Sequence, residues 1–285
     1  MRKRKNQAIA LCVAALLLCA AVTAAYTAVF IWSDDVRPPV ISMDADSLEV
    51  SVSAADEELL AGVTAMDARD GDVTASLLVQ GVSDLTDGAV TVTYAAFDSA
   101  GNVAKASRTL RYTDYTGPRF RLNGALVFNS GTSMDVLGRV GATDLIDGDI
   151  SRQTKADLVS DTGSLSYPGV HQVQFRVTNS LGDTRYLTLP VDVLTAGDYN
   201  ASVVLSNYLV YLPRGAEFSA RDYLEGLTTG LGDEIPVSDP EMQVSIESNV
   251  RTGVPGVYSV RYTVSYSSGL AKYVGYTRLN VVVEE

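Results

Sequence analysis

The chain has 285 residues, with 34 acidic and 22 basic side chains and a formal net charge of −12. Four basic residues and no acidic one fall in the first 32, leaving the remainder with 18 basic against 34 acidic residues, a net −16; such a surface repels phosphate backbones and argues against nucleic acid. Both cysteines, Cys12 and Cys19, lie in the N-terminal apolar run, and His171 is the single histidine, so the remainder lacks the residues for a disulfide framework, a zinc cluster or a thiol nucleophile.

The first predicted element is a helix. Arg2 to Lys5 form a basic cluster within residues 1–7, and residues 8–32 follow without a charge. About 20 apolar residues at 1.5 Å per residue cross a bilayer core. The expected topology is a single-pass cell-membrane protein with the basic cluster cytoplasmic, Asp34 and Asp35 opening the far side, and Tyr26 and Trp32 at the outer interface. The alternatives are a cleavable signal segment, with Val22-Thr23-Ala24 as the small-residue site, and a lipid on Cys19. All three export the rest of the chain.

Beyond the helix one pattern occurs three times: Gly, five residues, an aromatic, four residues, Ser, one residue, Gly. The copies are Gly88, Tyr94, Ser99, Gly101; Gly169, Phe175, Ser180, Gly182; and Gly256, Tyr262, Ser267, Gly269. A turn pair precedes each: Asp87-Gly88, Pro168-Gly169 and Pro255-Gly256. The next residues alternate with period two, placing Val92, Tyr94 and Ala96, then Val173, Phe175 and Val177, then Val260, Tyr262 and Val264 on one buried face. A hairpin and a second strand close each copy, over 103–112, 184–193 and 272–283. Ala54 to Leu60 reads as a helical turn between strands. Short strands, frequent turns and some 80 residues per copy predict an all-β chain of three tandem immunoglobulin-like β-sandwich domains, 38–115, 116–196 and a divergent 197–285.

Repeats one and two share a further motif. One reads Asp67-Ala-Arg-Asp70-Gly71-Asp72, the other Asp144-Leu-Ile-Asp147-Gly148-Asp149. With the Pro-Val lead-in and the Asp98-Ser-Ala-Gly-Asn102 hairpin, this resembles a family of bacterial Ig-like domains that occur in tandem in surface proteins and some pesticidal crystal proteins and are similar to hyalin repeats. The resemblance covers residues 38 to about 195; repeat three joins through its hairpin alone, since its mid-domain segment reads Gly232-Asp233-Glu234-Ile235. It implies a fold and a cell-surface setting, with no ligand and no catalytic residue.

Two sets of candidate residues follow. Asp67, Asp70 and Asp72, and likewise Asp144, Asp147 and Asp149, could ligate calcium, although six to eight oxygens would require other loops to contribute; the same aspartates could instead cap the turn by accepting backbone N–H groups. Tyr273 and Tyr276, on the last strand at odd spacing, point to opposite faces and are candidates for partner binding. His171 shares the buried face and reads as a packed residue rather than a catalytic one. No Gly-x-Ser-x-Gly elbow is present, and no enzymatic activity or cofactor is expected. The expected function is a non-catalytic, membrane-anchored, extracellular protein presenting its repeats for adhesion to a cell-envelope protein or glycan; the alternative is a docking subunit or assembly factor of a membrane complex.

Overall fold

The computed structural model describes residues 2–33, 35–86, 88–159 and 164–285. Asp34 and the Asp87 of the first turn pair lie outside these residues, as do the side chains of Arg2 to Lys5 and of Trp32. The chain is all-β after one N-terminal apolar helix, Arg2–Ser33. Within that helix Leu11–Val29, 19 residues, is long and apolar enough to cross a membrane, and none of it is buried by the rest of the protein.

Each repeat is organised around its long hairpin. In repeat one Ala89–Phe97 pairs antiparallel with Val103–Tyr112, in repeat two Gly169–Thr178 with Thr184–Leu194, and in repeat three Gly256–Ser268 with Ala271–Val283. Tyr94, Phe175 and Tyr262 are each fully buried on the inward face, as the period-two pattern requires. A short early strand adds parallel to the outer hairpin strand in all three: Ser47–Val50, Val127–Asn129 and Leu209–Leu212. A second sheet carries the lead-in strand and the mid-domain strand. It pairs Val40–Met43 with Val63–Asp67 in repeat one, and Arg119–Leu122 with Val140–Asp144 in repeat two. In repeat two the sheets face each other through Phe120 and Phe175, whose ring centroids lie 6.5 Å apart. In repeat three Ala201–Leu205 bridges Ala271–Val283 at Ala201 and Gly275, so the strands form one seven-stranded sheet. The helical turn expected in repeat one is the four-residue helix Asp56–Leu59, which buries Leu59.

Backbone proximity divides the chain into two compact units, Met1–Asp114 and Tyr115–Glu285. Repeats two and three therefore share a unit, and their packing shows why. Leu209 belongs to the repeat-two core, and Tyr211 and Val282 pack against it. The Tyr211 hydroxyl donates to the Phe120 carbonyl (3.2 Å), and the Arg119 guanidinium lies 5.0 Å above the Tyr211 ring while pairing with Glu284.

Candidate functional site

The mid-domain aspartates sit where the second sheet meets the long hairpin, and repeats one and two share the same turn caps and cross-link to the hairpin. Asp67 ends its strand, and its Oδ1 accepts the N–H groups of Arg69 (2.7 Å) and Asp70 (2.9 Å). Asp144 Oδ1 does the same for Ile146 and Asp147. Gly71 and Gly148 follow at φ 76° and 70°, a left-handed conformation that costs glycine nothing and a Cβ-bearing residue about 1 kcal/mol or more. Asp72 then caps Thr74, and Asp149 caps Ser151. The middle aspartate reaches across to the hairpin: Asp70 accepts the Ser99 N–H (2.6 Å) and hydroxyl (3.0 Å), and Asp147 accepts the Ser180 N–H and hydroxyl, both at 2.6 Å. This staple explains the shared position of Ser99 and Ser180 after the buried aromatic; in repeat three Ser267 instead lies within the strand Gly256–Ser268, opposite Lys272. Backbone donors from Asp70 and Arg69 hold the Asp67 carboxyl below the ordinary carboxylate range; the Thr74 hydroxyl and N–H do the same for Asp72.

Among the described residues neither aspartate triplet converges on a point. The carboxylates that do converge are Asp35, Asp67 and Asp98, each offering an oxygen within 4.8 Å of the other two. Asp98 opens the hairpin turn, where its Oδ1 accepts the Asn102 N–H (2.8 Å). Asp35 lies just beyond the helix, and its backbone carbonyl accepts from Asn102 Nδ2 (2.9 Å). In the sequence Asp98 reads as a turn residue and Asp35 as a charge that opens the far side of the membrane run. Their meeting with Asp67 spans more than 60 positions, so no local spacing announces it.

Repeat three carries the second candidate region. Tyr273 stacks on Tyr266 (6.5 Å, 21°), and Tyr276 packs against Tyr199 (5.7 Å, 44°). The two tyrosines have different surroundings, as their odd spacing requires. The Tyr276 hydroxyl meets Asp192 Oδ1 (3.2 Å) and accepts from Arg278 Nη2 (3.1 Å). Burial, reinforced by the Asp192 charge, pushes its pKa up to about 12, so the hydroxyl keeps its proton at neutral pH. Beside it, Arg278 donates through Nε and Nη2 to both oxygens of Asp192 at 2.6 Å, a buried bidentate pair between repeats two and three. Tyr276, Tyr199 and Tyr208 line a cleft of about 490 Å³ together with Phe128, Asp135 and Arg139 of repeat two. Arg139 stands 4.4 Å above the Phe128 ring. The cleft thus sets aromatic rings beside a carboxylate and a guanidinium. His171 is buried, its Nε2 2.9 Å from the Tyr167 carbonyl.

No family model matches the chain. Among curated proteins it is 28% identical over 184 residues to an uncharacterized 81.3 kDa protein of Acholeplasma phage L2; the match takes in 62% of this chain and only 23% of the phage protein's length. Among solved structures it is similar to mouse cadherin-23 EC22-24 (TM-score 0.21, 13% identity, 87% of this chain and 99% of that one). It is also similar to CBM51-2 in complex with GlcNAc and INT domains from Clostridium perfringens ZmpB (0.22, 15%, 86% and 41%). A third is protocadherin gamma B2 extracellular cadherin domains 1–5, at 0.21 and 10% identity, where the chain spans 60% of that protein and 87% of its own length is covered.

Proposed function

We propose that this chain is a membrane-anchored, non-catalytic protein that holds its β repeats outside the membrane and binds a glycan-bearing partner of the cell envelope through repeats two and three. The carrying observation is the helix Arg2–Ser33, whose apolar stretch Leu11–Val29 nothing in the protein covers. Exposing that much apolar surface to water is costly, and a bilayer removes the cost. The basic cluster before the helix and the acidic surplus after it favour an inside N-terminus. The mid-domain carboxylates are engaged as turn caps and staples, a use that supports a binding module over an enzyme. The tyrosine-lined cleft supports the choice of ligand class.

Two measurements test the reading. Protease added to intact cells should degrade the repeats; protection until the cells are permeabilised would refute the topology. The detergent-solubilised full chain, applied to an array of envelope glycans, should bind a subset of them and lose that binding on Tyr199→Ala. Array binding that survives Tyr199→Ala would place the ligand elsewhere. Failure to bind any glycan, together with recovery in a stoichiometric membrane complex, would favour a docking subunit.

A further inference from the structure

We infer that Asp35, Asp67 and Asp98 form a calcium site that ties the segment emerging from the N-terminal helix to the first repeat. The three carboxylates converge within 4.8 Å, yet Asp67 and Asp98 are only 6% and 9% exposed. Burying like charges side by side is unfavourable unless a cation or donors answer them. Asp67 Oδ1 is answered by two backbone N–H groups, whereas its Oδ2 is buried with no hydrogen-bond partner among the described residues. A buried, ionised oxygen without a donor is the kind of atom that a hard cation satisfies.

Repeat two shows what this place looks like when the protein fills it with its own donors. Asp144 caps its turn as Asp67 does, and its Oδ2 meets the Tyr115 hydroxyl (3.2 Å) and Asn179 Nδ2 (3.3 Å). Asn179 opens its hairpin as Asp98 does, accepting the Asp183 N–H through Oδ1 (2.9 Å). Tyr115, in the corresponding lead-in segment, shares its one hydroxyl proton between Asp144 Oδ2 and Asp183 Oδ2 (2.9 Å) and accepts from Asn179 Nδ2 (2.7 Å). So where repeat one gathers Asp35 and Asp98 around Asp67, repeat two gathers a hydroxyl and an amide around Asp144. In repeat three the strand-end position is Thr229, whose Oγ1 accepts the Leu231 and Asp233 N–H groups. Among the described residues only repeat one gathers three carboxylates at this place, with a buried carboxylate oxygen left unanswered. Asp98 Oδ1 and Oδ2 accept the Asn102 N–H (2.8 Å) and Nδ2 (2.7 Å) and Asp35 Oδ1 accepts the Arg37 N–H, so Asp67 Oδ2 is the buried oxygen left for a cation; calcium takes six to eight oxygens at 2.3–2.6 Å, and the neighbouring carboxylate oxygens and water would supply the rest.

The test uses the full chain in detergent, stripped with chelator and titrated with calcium alone by calorimetry. One saturable site is expected, with a dissociation constant on the order of 10⁻⁴–10⁻³ M, the range of extracellular calcium modules. Asp35→Asn and Asp98→Asn should each weaken it by at least about tenfold, because ligand charge sets affinity. Both variants should fold: among the described residues Asp35 Oδ1 accepts the Arg37 N–H (3.1 Å), which an amide oxygen can also accept, and repeat two already carries asparagine in the Asp98 place. Asp144→Asn should leave binding unchanged. Absence of saturable binding, a smaller loss in either repeat-one variant, or an equal loss in Asp144→Asn overturns the inference. The titration reads the ion on the chain itself, so its outcome is independent of membrane topology and of the ligand in the cleft.

Discussion

Replacing Asp192 by alanine should break the joint between repeats two and three. Asp192 is 3% exposed and Arg278 7%, and two bonds of 2.6 Å join them in a bidentate fork. Arg278 also donates to the Ser259 hydroxyl (3.0 Å) and to Tyr276, but neither carries a compensating charge. Truncation at residue 192 leaves a guanidinium buried without a counterion, which costs about 3–5 kcal/mol. For a unit of this size, about 2–4 °C per kcal/mol converts that into a fall of about 6–20 °C in its melting temperature. The double substitution Asp192→Val with Arg278→Met removes both charges together, and it should recover most of the loss because a buried ion pair is worth little against apolar side chains of similar volume. Calorimetric melting of the full chain in detergent reads both effects. A single Asp192→Ala variant that melts within about 1 °C of the wild type, or a double variant no better than the single, would refute the assignment of this pair as the joint.

Phe175→Ala and Tyr262→Ala each remove a fully buried aromatic and should cost about 3–5 kcal/mol; a Phe175→Ala chain with an unchanged melting profile would show that the repeat register is wrong. Asp70→Ala should loosen the Ser99 hairpin turn and raise hydrogen exchange at the Ser99 amide, with no change at Ser180, whose partner is Asp147; protection that stays equal at both would remove the staple. Acid should destabilise repeat one. The folded-state values of Asp67 and Asp72 lie below the ordinary 3.8, so the unfolded chain takes up protons first. The stabilisation is therefore complete above about pH 4–5 and is lost as pH falls through 3.8 and on through the folded values. Melting temperatures measured against pH should fall in that window, and Asp67→Asn should flatten part of the fall; an Asp67→Asn profile parallel to wild type refutes the capping role.

The features that sequence periodicity controls were readable in advance. Tyr94, Phe175 and Tyr262 are buried because a strand alternates its faces every residue, and the spacing from turn glycine to aromatic fixes which face is which. The Asp98–Asn102 hairpin and the Asn179–Asp183 hairpin were legible because turn chemistry is local. Long-range partners were not. Asp192 and Arg278 are separated by 86 positions, and nothing around either residue marks it as the other's counterion. Asp35 looked like a flanking charge because its role depends on a strand end and a hairpin that the chain reaches only later. The spacing of the aspartate loops could not show that Asp70 turns away toward Ser99 while Asp67 faces Asp98. The union of repeats two and three depends on Leu209, Tyr211 and Val282 entering a neighbour's core, which a repeat-by-repeat reading assigns to their own.

The same structural positions carry different chemistry from one repeat to the next, and the differences are not random. Tyr94 pairs across its hairpin with Ala106, Phe175 with Leu187 and Tyr262 with Thr277. Two residues further on stand Arg108, Leu189 and Leu279, all buried. Leucine fills the place in repeats two and three. In repeat one the arginine is tolerated because Nε reaches the Tyr94 hydroxyl (2.8 Å), Nη2 reaches the carbonyls of Leu59 (2.9 Å) and Ala61 (2.8 Å), and Nη1 lies 3.7 Å from the Asp44 carboxylate. Those carbonyls belong to the end of the short helix Asp56–Leu59 and the turn after it, where helical carbonyls lack internal partners. The helix and the arginine thus require each other. Repeat one spends buried charge on fixing its own edge and holds three carboxylates beside the lead-in from the N-terminal helix. Repeats two and three share the buried pair Asp192–Arg278 at the joint that makes them one unit, while repeat two also buries Asp144 as a turn cap. A fold assembled from copies can divide its tasks this way because the hairpin core alone is enough to specify each copy, leaving the strand ends and the second sheet free to vary.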